Sequence, residues 1–132
     1  MPLRRRLSMR WYAQRMVVTI DETVAYLRRL QEDREARAGA RAAVIRSHLP
    51  AAKALLQQKY GARRVVLFGS FARDEVTEYS DVDLAVEGLA GTCYFTAIAD
   101  LVGLFGAPVD LVEIERASES MGARLSLEGI EL

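Results

Sequence analysis

Apolar residues gather in three short, dense runs: VVLF at 65–68, VDLAV at 82–86 and VDLVEI at 109–114. Gly69 and Gly88 close the first two, and Pro108 precedes the third. Runs of this length bounded by turn residues predict buried strands rather than helices. Between the second and third, TCYFTAIADLVGLF (92–105) spaces its apolar residues helically and stops at Gly106 and Pro108. Upstream, Pro50 suits the first turn of a helix carrying Ala51, Ala54, Leu55 and Leu56, and Gly61 supplies its C-terminal cap. Earlier still, Thr19-Ile20-Asp21-Glu22 fits a capping box, and helix formers continue to about Ser47, interrupted only by Gly39. Val24, Leu27 and Leu30 mark an apolar stripe there, and Ala42, Ala43, Val44 and Ile45 a second apolar stretch. The middle, QEDREARAGAR, is too polar for a core and predicts a stretch facing solvent or a partner. A weaker helix near 117–127 ends the chain. The order predicts an α/β fold: a small mixed β-sheet flanked by helices, with a helical amino-terminal extension.

Composition changes this picture little. Half the residues are hydrophobic and about a quarter charged, within the ordinary globular range. No apolar run approaches the ~20 residues that span a bilayer. The start, MPLRRRLSMRWYAQRM, is basic but lacks the apolar stretch of a secretory signal, so no membrane and a cytoplasmic location are expected. Residues 1–18 read as a basic arm. At 132 residues the chain has room for one modest domain and an appendage.

Charge is more informative. The net charge is zero, yet residues 1–46 hold eleven arginines against five acids, and residues 47–132 seven basic residues against thirteen acids. A basic end fits either nucleic-acid or partner binding, or an arginine-rich helix face in water. One cysteine, Cys93, excludes an intramolecular disulfide and a cysteine metal cage, and reads as a small buried hydrophobe. The single histidine, His48, precedes Pro50 in a surface or capping position. Any chemistry must rest on carboxylates, hydroxyls and arginines.

Those groups collect at the strand ends. Gly69-Ser70 follows the first strand directly, and FAR then opens a short helix. A glycine lets backbone approach a phosphate, and free amides with the Ser70 hydroxyl would cradle anionic oxygens. Asp81 and Asp83 bracket Val82 at the start of the second strand; two apart, they face one side while Val82 and Leu84 face the core. Two crowded acids repel, and a hard divalent cation such as Mg²⁺ removes that cost. Taken alone, Asp-x-Asp also suits an exposed turn. Asp110 interrupts the otherwise apolar third strand, where a buried aspartate needs a partner or a metal. With the third strand beside the second, it would complete a three-carboxylate cluster facing the Gly-Ser turn. Metal to neutralise charge and donors to hold a triphosphate are the two needs of phosphoryl-type transfer.

LFGSFAR (67–73), SDVDLAV (80–86) and VDLV (109–112) closely resemble the minimal nucleotidyltransferase family of the DNA polymerase beta-like superfamily. Its signature is Gly-Ser, ten residues, then Asp-x-Asp, and ten residues separate Ser70 from Asp81. The resemblance covers roughly residues 44–132. With it comes the expected division: 1–46, basic arm and helical extension; 47–132, minimal nucleotidyltransferase domain. It implies metal-dependent transfer of a nucleoside monophosphate from a nucleoside triphosphate, AMP from ATP being the expected case, with release of pyrophosphate. By resemblance Asp81 and Asp83 ligate metal (Mg²⁺ or Mn²⁺), Asp110 ligates the catalytic metal, and Gly69 and Ser70 hold the triphosphate. Arg73 matches the arginine usual in the motif. Asp74 stands where the family usually has glycine, which adds negative charge near the cradle and leaves the turn geometry open.

Many members resemble antitoxins paired with a small helical nuclease of the HEPN class, a tyrosine of which they modify with AMP. The short chain, with no second domain for a small-molecule acceptor, fits that branch. Two other readings stay open: a non-catalytic binding module that neutralises a partner by contact, and a nucleotidyltransferase for a small-molecule or RNA acceptor. The helical extension is not part of the minimal unit and offers a surface for a partner or for a homo-oligomer.

Overall fold

The computed structural model describes residues 19–132; the basic arm read over 1–18 lies outside them. Helix α1 (Ile20–Ser47) begins at the expected capping box. The Thr19 hydroxyl accepts the Glu22 amide at 3.1 Å, and the Glu22 carboxylate accepts the Thr19 amide at 3.4 Å.

The chain divides into two compact units after Arg34. In the first, Ile20, Val24, Tyr26 and Leu27 are exposed on α1. The second runs from Glu35 to Leu132 and includes the last turns of the same helix. There Ala38, Ala42 and Ile45 are buried at helical spacing, Ile45 to 1 % exposure, while Ala43 and Val44 face out. A boundary after residue 46 would fall inside α1, beyond residues that belong to this core.

Four strands make one mixed sheet: β1 (Arg64–Phe68), β2 (Val82–Glu87), β3 (Val109–Glu113) and β4 (Ile130–Glu131), in the order β3-β2-β1-β4. β1 is antiparallel to β2 and β4, and β2 is parallel to β3. The fold is the α/β arrangement expected. β4 was not expected, because two residues carry no readable alternation.

Helix α2 (Leu49–Ala54) has its proline in the first turn, continues as a π-type turn over Leu55–Lys59, and ends near Gly61, whose φ is +71°. The short α3 (Gly69–Arg73) follows β1, α4 (Tyr94–Phe105) links β2 to β3, and α5 (Glu119–Glu128) precedes β4. Ser118 caps α5 by accepting the Met121 amide at 3.1 Å.

Strand alternation sorts the core into two layers. Val65, Leu67, Val82, Leu84, Val86 and Leu111 face one way, where Ile45, Leu56, Phe71, Ala97 and Leu101 cover them. Val66, Phe68 and Ala85 face the other way, against Val112, Met121 and Leu125. That second, smaller layer lies under α5. Among the described residues no helix is long and apolar enough to cross a membrane.

If the end of α1 is part of the domain, Ile45→Ala opens a cavity and costs about 2–5 kcal/mol. Leu27→Ala, on an exposed position of the first unit, changes stability by less than about 0.5 kcal/mol. Urea denaturation of the two variants measures the contrast, and equal losses would contradict the division after Arg34.

Candidate active site

The register of β2 places the site. Asp83 stands opposite Phe68 of β1 and beside Asp110 of β3. Its neighbours Val82 and Leu84 are fully buried on the opposite face, so Asp83 projects on the α5 side. Asp81, two residues earlier and just ahead of the strand, shares that parity. Sequence reasoning took Asp110 as buried; it is exposed, because β3 is an edge of the sheet. No charged side chain is buried among the described residues.

Asp83 is half-buried, and its carboxyl is pushed from 3.8 up to about 6. Burial is the largest cause, followed by the charges of Asp110 and Asp81; Arg124 and Arg73 pull weakly the other way. Asp83 therefore feels both of the other acids. They do not form a ready-made cage: among the described residues no three acidic, histidine or cysteine side chains are arranged to hold a metal ion. Cys93 packs half-buried against the core, and His48 stands at the cap of α2 with no side-chain cap bond.

Gly69, at the turn from β1 into α3, has φ of +72°. A Cβ built there would lie 1.9 Å from Asp83 Oδ2 and 2.8 Å from its Cγ. The glycine is thus demanded by the carboxylate beside it as much as by backbone conformation. Ser70 follows, half-buried in the first turn of α3. Arg73 closes that helix and donates to Glu75 at 3.0 Å and to Glu128 at 2.9 Å.

Asp74 takes the left-handed conformation that glycine would take at the end of α3, with φ of +58°. Its charge is met by Arg46, 2.9 Å away, which also donates to the Phe71 carbonyl. Arg41 donates to the Glu78 carbonyl and Arg37 pairs with the Glu78 carboxylate at 2.9 Å. Three arginines from the end of α1 thus hold the loop that leads from α3 to Asp81, a role the charge pattern did not disclose.

Two further residues were missed. Glu128, at the end of α5, accepts the Gly69 amide at 3.3 Å, Arg73 at 2.9 Å and Arg124 at 2.7 Å. Its carboxyl is held below the usual range, chiefly by Arg73 and with help from Arg124 and the Gly69 amide, against the opposing effect of burial. Arg124 and Glu128 are four apart on a helix, a spacing so common for surface ion pairs that it carries no signal of a site.

Residues 49–129 match the nucleotidyltransferase domain family. The chain belongs to that family. The protein adenylyltransferase MntA of Thermococcus cleftensis is 39 % identical over 71 residues, covering 52 % of this chain and 72 % of the relative. A solved structure described as a candidate minimal nucleotidyltransferase is 31 % identical with a TM-score of 0.61, over 69 % of this chain and 95 % of that one. A variant of the toxin–antitoxin pair MntA–HpeT aligns at 26 % identity with a TM-score of 0.53, over 63 % of this chain and 68 % of that one. This nucleotidyltransferase therefore carries its Gly-Ser turn and Asp-x-Asp pair within the matched region.

Two measurements probe the geometry. Gly69→Ala adds left-handed strain of about 1–2 kcal/mol and displaces Asp83 besides. Its denaturation midpoint falls accordingly, and an unchanged midpoint would mean that the turn is not as described. Because Asp83 binds its proton more tightly folded than unfolded, it lowers stability as pH rises from about 4 to about 7 in metal-free buffer. Asp83→Asn removes that loss. The variant should match the parent near pH 4 and melt higher near pH 7; parallel curves would refute the burial and crowding of Asp83.

Proposed function

We propose that this nucleotidyltransferase moves AMP from ATP to a hydroxyl of a protein partner, and so acts as the antitoxin of a pair whose toxin is a small helical protein of the HEPN class. The observation that carries the reading is the pairing of Asp83 with Asp110 across β2 and β3, directly beside the Gly69 turn. Asp83, its pKa raised by burial first and by the neighbouring carboxylates second, stands next to backbone and arginine donors suited to phosphate. The adenylyltransferase relative supports the reaction class, and the toxin–antitoxin structure supports a toxin as the partner.

In this reading Gly69, Ser70 and Arg73 bind the triphosphate and orient its α-phosphorus toward the acceptor. The hydroxyl oxygen bonds to that phosphorus and gives up its proton to solvent, the bond from that phosphorus to the bridging oxygen breaks, and pyrophosphate leaves. Asp81, Asp83 and Asp110 would hold Mg²⁺ or Mn²⁺: three hard oxygen donors whose mutual repulsion a cation relieves suit such an ion. When bound, the metal neutralises charge that develops on the phosphates. The exposure of Asp110 leaves that side of the cluster open toward an incoming acceptor. Among the described residues, α3 and its loop lie on the phosphate side, tied down by Arg41 and Arg46.

The test uses ATP labelled at the α-phosphate, Mg²⁺ and the protein encoded beside this one. Label should pass to that protein and not from ATP labelled at the γ-phosphate. Replacing Asp81 and Asp83 together by asparagine removes charge stabilisation of several kcal/mol, so transfer falls by about a thousandfold or more. The fold stays intact or becomes slightly more stable. Neutralisation of the toxin without any label would favour the non-catalytic module, and undiminished transfer by the double variant would place the chemistry elsewhere.

A further inference from the structure

Glu128 has uncommon surroundings for a residue at the end of a surface helix. Only 18 % of its side chain is exposed, and three donors converge on its two carboxylate oxygens. Oε1 accepts the Gly69 amide and Arg124 Nε, and Oε2 accepts Arg73 Nη1. The donors come from separate stretches of chain, the turn after β1 and the last turns of α5. Arg124 also lies over the Phe68 ring, 5.5 Å from its centroid, and Phe68 is the strand partner of Asp83. The charges of Arg124 and Arg73 both act to lower the Asp83 pKa.

A backbone amide with two guanidinium groups around one anion is the donor set that proteins use for phosphate. Arg73 also pairs with Glu75, so the two guanidinium groups meet two separate carboxylates; a phosphate, with more oxygens and more charge than either, would engage both arginines and the amide at once. Both arginines are also more open than the glutamate between them, at 38 % and 46 % exposure. Given the reading of this turn as a triphosphate site, we propose that the Glu128 carboxylate stands in the place of a nucleotide phosphate. On binding, that phosphate takes over the Gly69 amide, Arg73 and Arg124, which makes Arg124 a nucleotide-binding residue supplied by the C-terminal helix. Glu128 then competes with substrate and sets the nucleotide concentration at which the site fills. The opposite role, a fixed brace that orients the two arginines and stays in place, makes the opposite prediction for every variant of Glu128.

Inorganic triphosphate is the probe, titrated by calorimetry in metal-free buffer at fixed ionic strength with no acceptor present. Glu128→Gln keeps the shape and an acceptor for Gly69 but loses the charge, so the triphosphate binds about tenfold tighter than to the parent. Adding Arg124→Gln to that variant takes the gain away, and Arg124→Gln alone binds more weakly than the parent. Should Glu128→Gln fail to fold, Glu128→Asp serves: it keeps the charge but withdraws it by one methylene, and again tightens binding. Equal or weaker binding by the Glu128 variants, or no binding by any form, overturns the proposal. Tighter binding without label on any partner would instead refute the transfer reading and leave this one standing.

Discussion

Asp83 lies in two strand pairings at once, opposite Phe68 on one side and Asp110 on the other, and that register governs the rest of the site. It is enforced by the neighbours of the aspartate rather than by the aspartate itself. Val82, Leu84 and Val86 are fully buried on the far face, so a slip of one residue would turn three apolar side chains out of the larger core. Each would forfeit about 1.5–3 kcal/mol of burial. Against that, the unfavourable placement of a half-buried carboxylate beside two others is tolerated. The same register leaves no room for a side chain at residue 69, which is why the turn from β1 into α3 is made by glycine.

What the sequence disclosed follows from the same physics. Dense apolar runs ended by glycine mark β1 and β2 because both strands are covered on two faces. Gly69-Ser70 and Asp81-x-Asp83 were legible because a fixed spacing on neighbouring elements is a local signal. The capping box at Thr19 and the stop at Gly106 were local as well. Whatever depended on distant partners was not legible. β4 is too short to show a pattern and exists by pairing with Val66 and Leu67. Asp110 read as buried because its neighbours are apolar, but exposure is decided by strand order, and β3 has no neighbour on its outer side.

The charge asymmetry shows the same limit. A run rich in arginine near the start reads as a face for water, nucleic acid or a partner, and sequence gave no reason to choose. Arg37, Arg41 and Arg46 instead meet Glu78, its carbonyl, Asp74 and the Phe71 carbonyl. Part of the imbalance between the two stretches is thus cancelled inside one compact unit. Asp74 illustrates the gain: a non-glycine residue in left-handed backbone costs about 1–2 kcal/mol. Here the same residue brings the carboxylate that anchors Arg46, and the turn geometry that glycine would give is kept.

Helix α5 completes the site because both of its ends are held. Ser118 caps the start, and beyond Glu128 the chain turns straight into β4, where Leu132 donates its amide to the Val65 carbonyl at 2.9 Å. Between helix and strand sits Gly129, where a Cβ would lie 2.3 Å from the Leu125 carbonyl oxygen and 2.7 Å from Val66 Cγ1. Only glycine allows so close an approach of the helix end to β1. Met121 and Leu125 pack against the small layer formed by Val66, Phe68 and Ala85, which fixes the rotation of α5 about its axis. With both ends and the rotation set, Arg124 and Glu128 project from α5 over Phe68 and toward the Gly69 turn. The two-residue strand that no sequence pattern announces is therefore what brings a charged helix end to the strand-end carboxylates, and a loss of the β4 pairing would reach Asp83 through it.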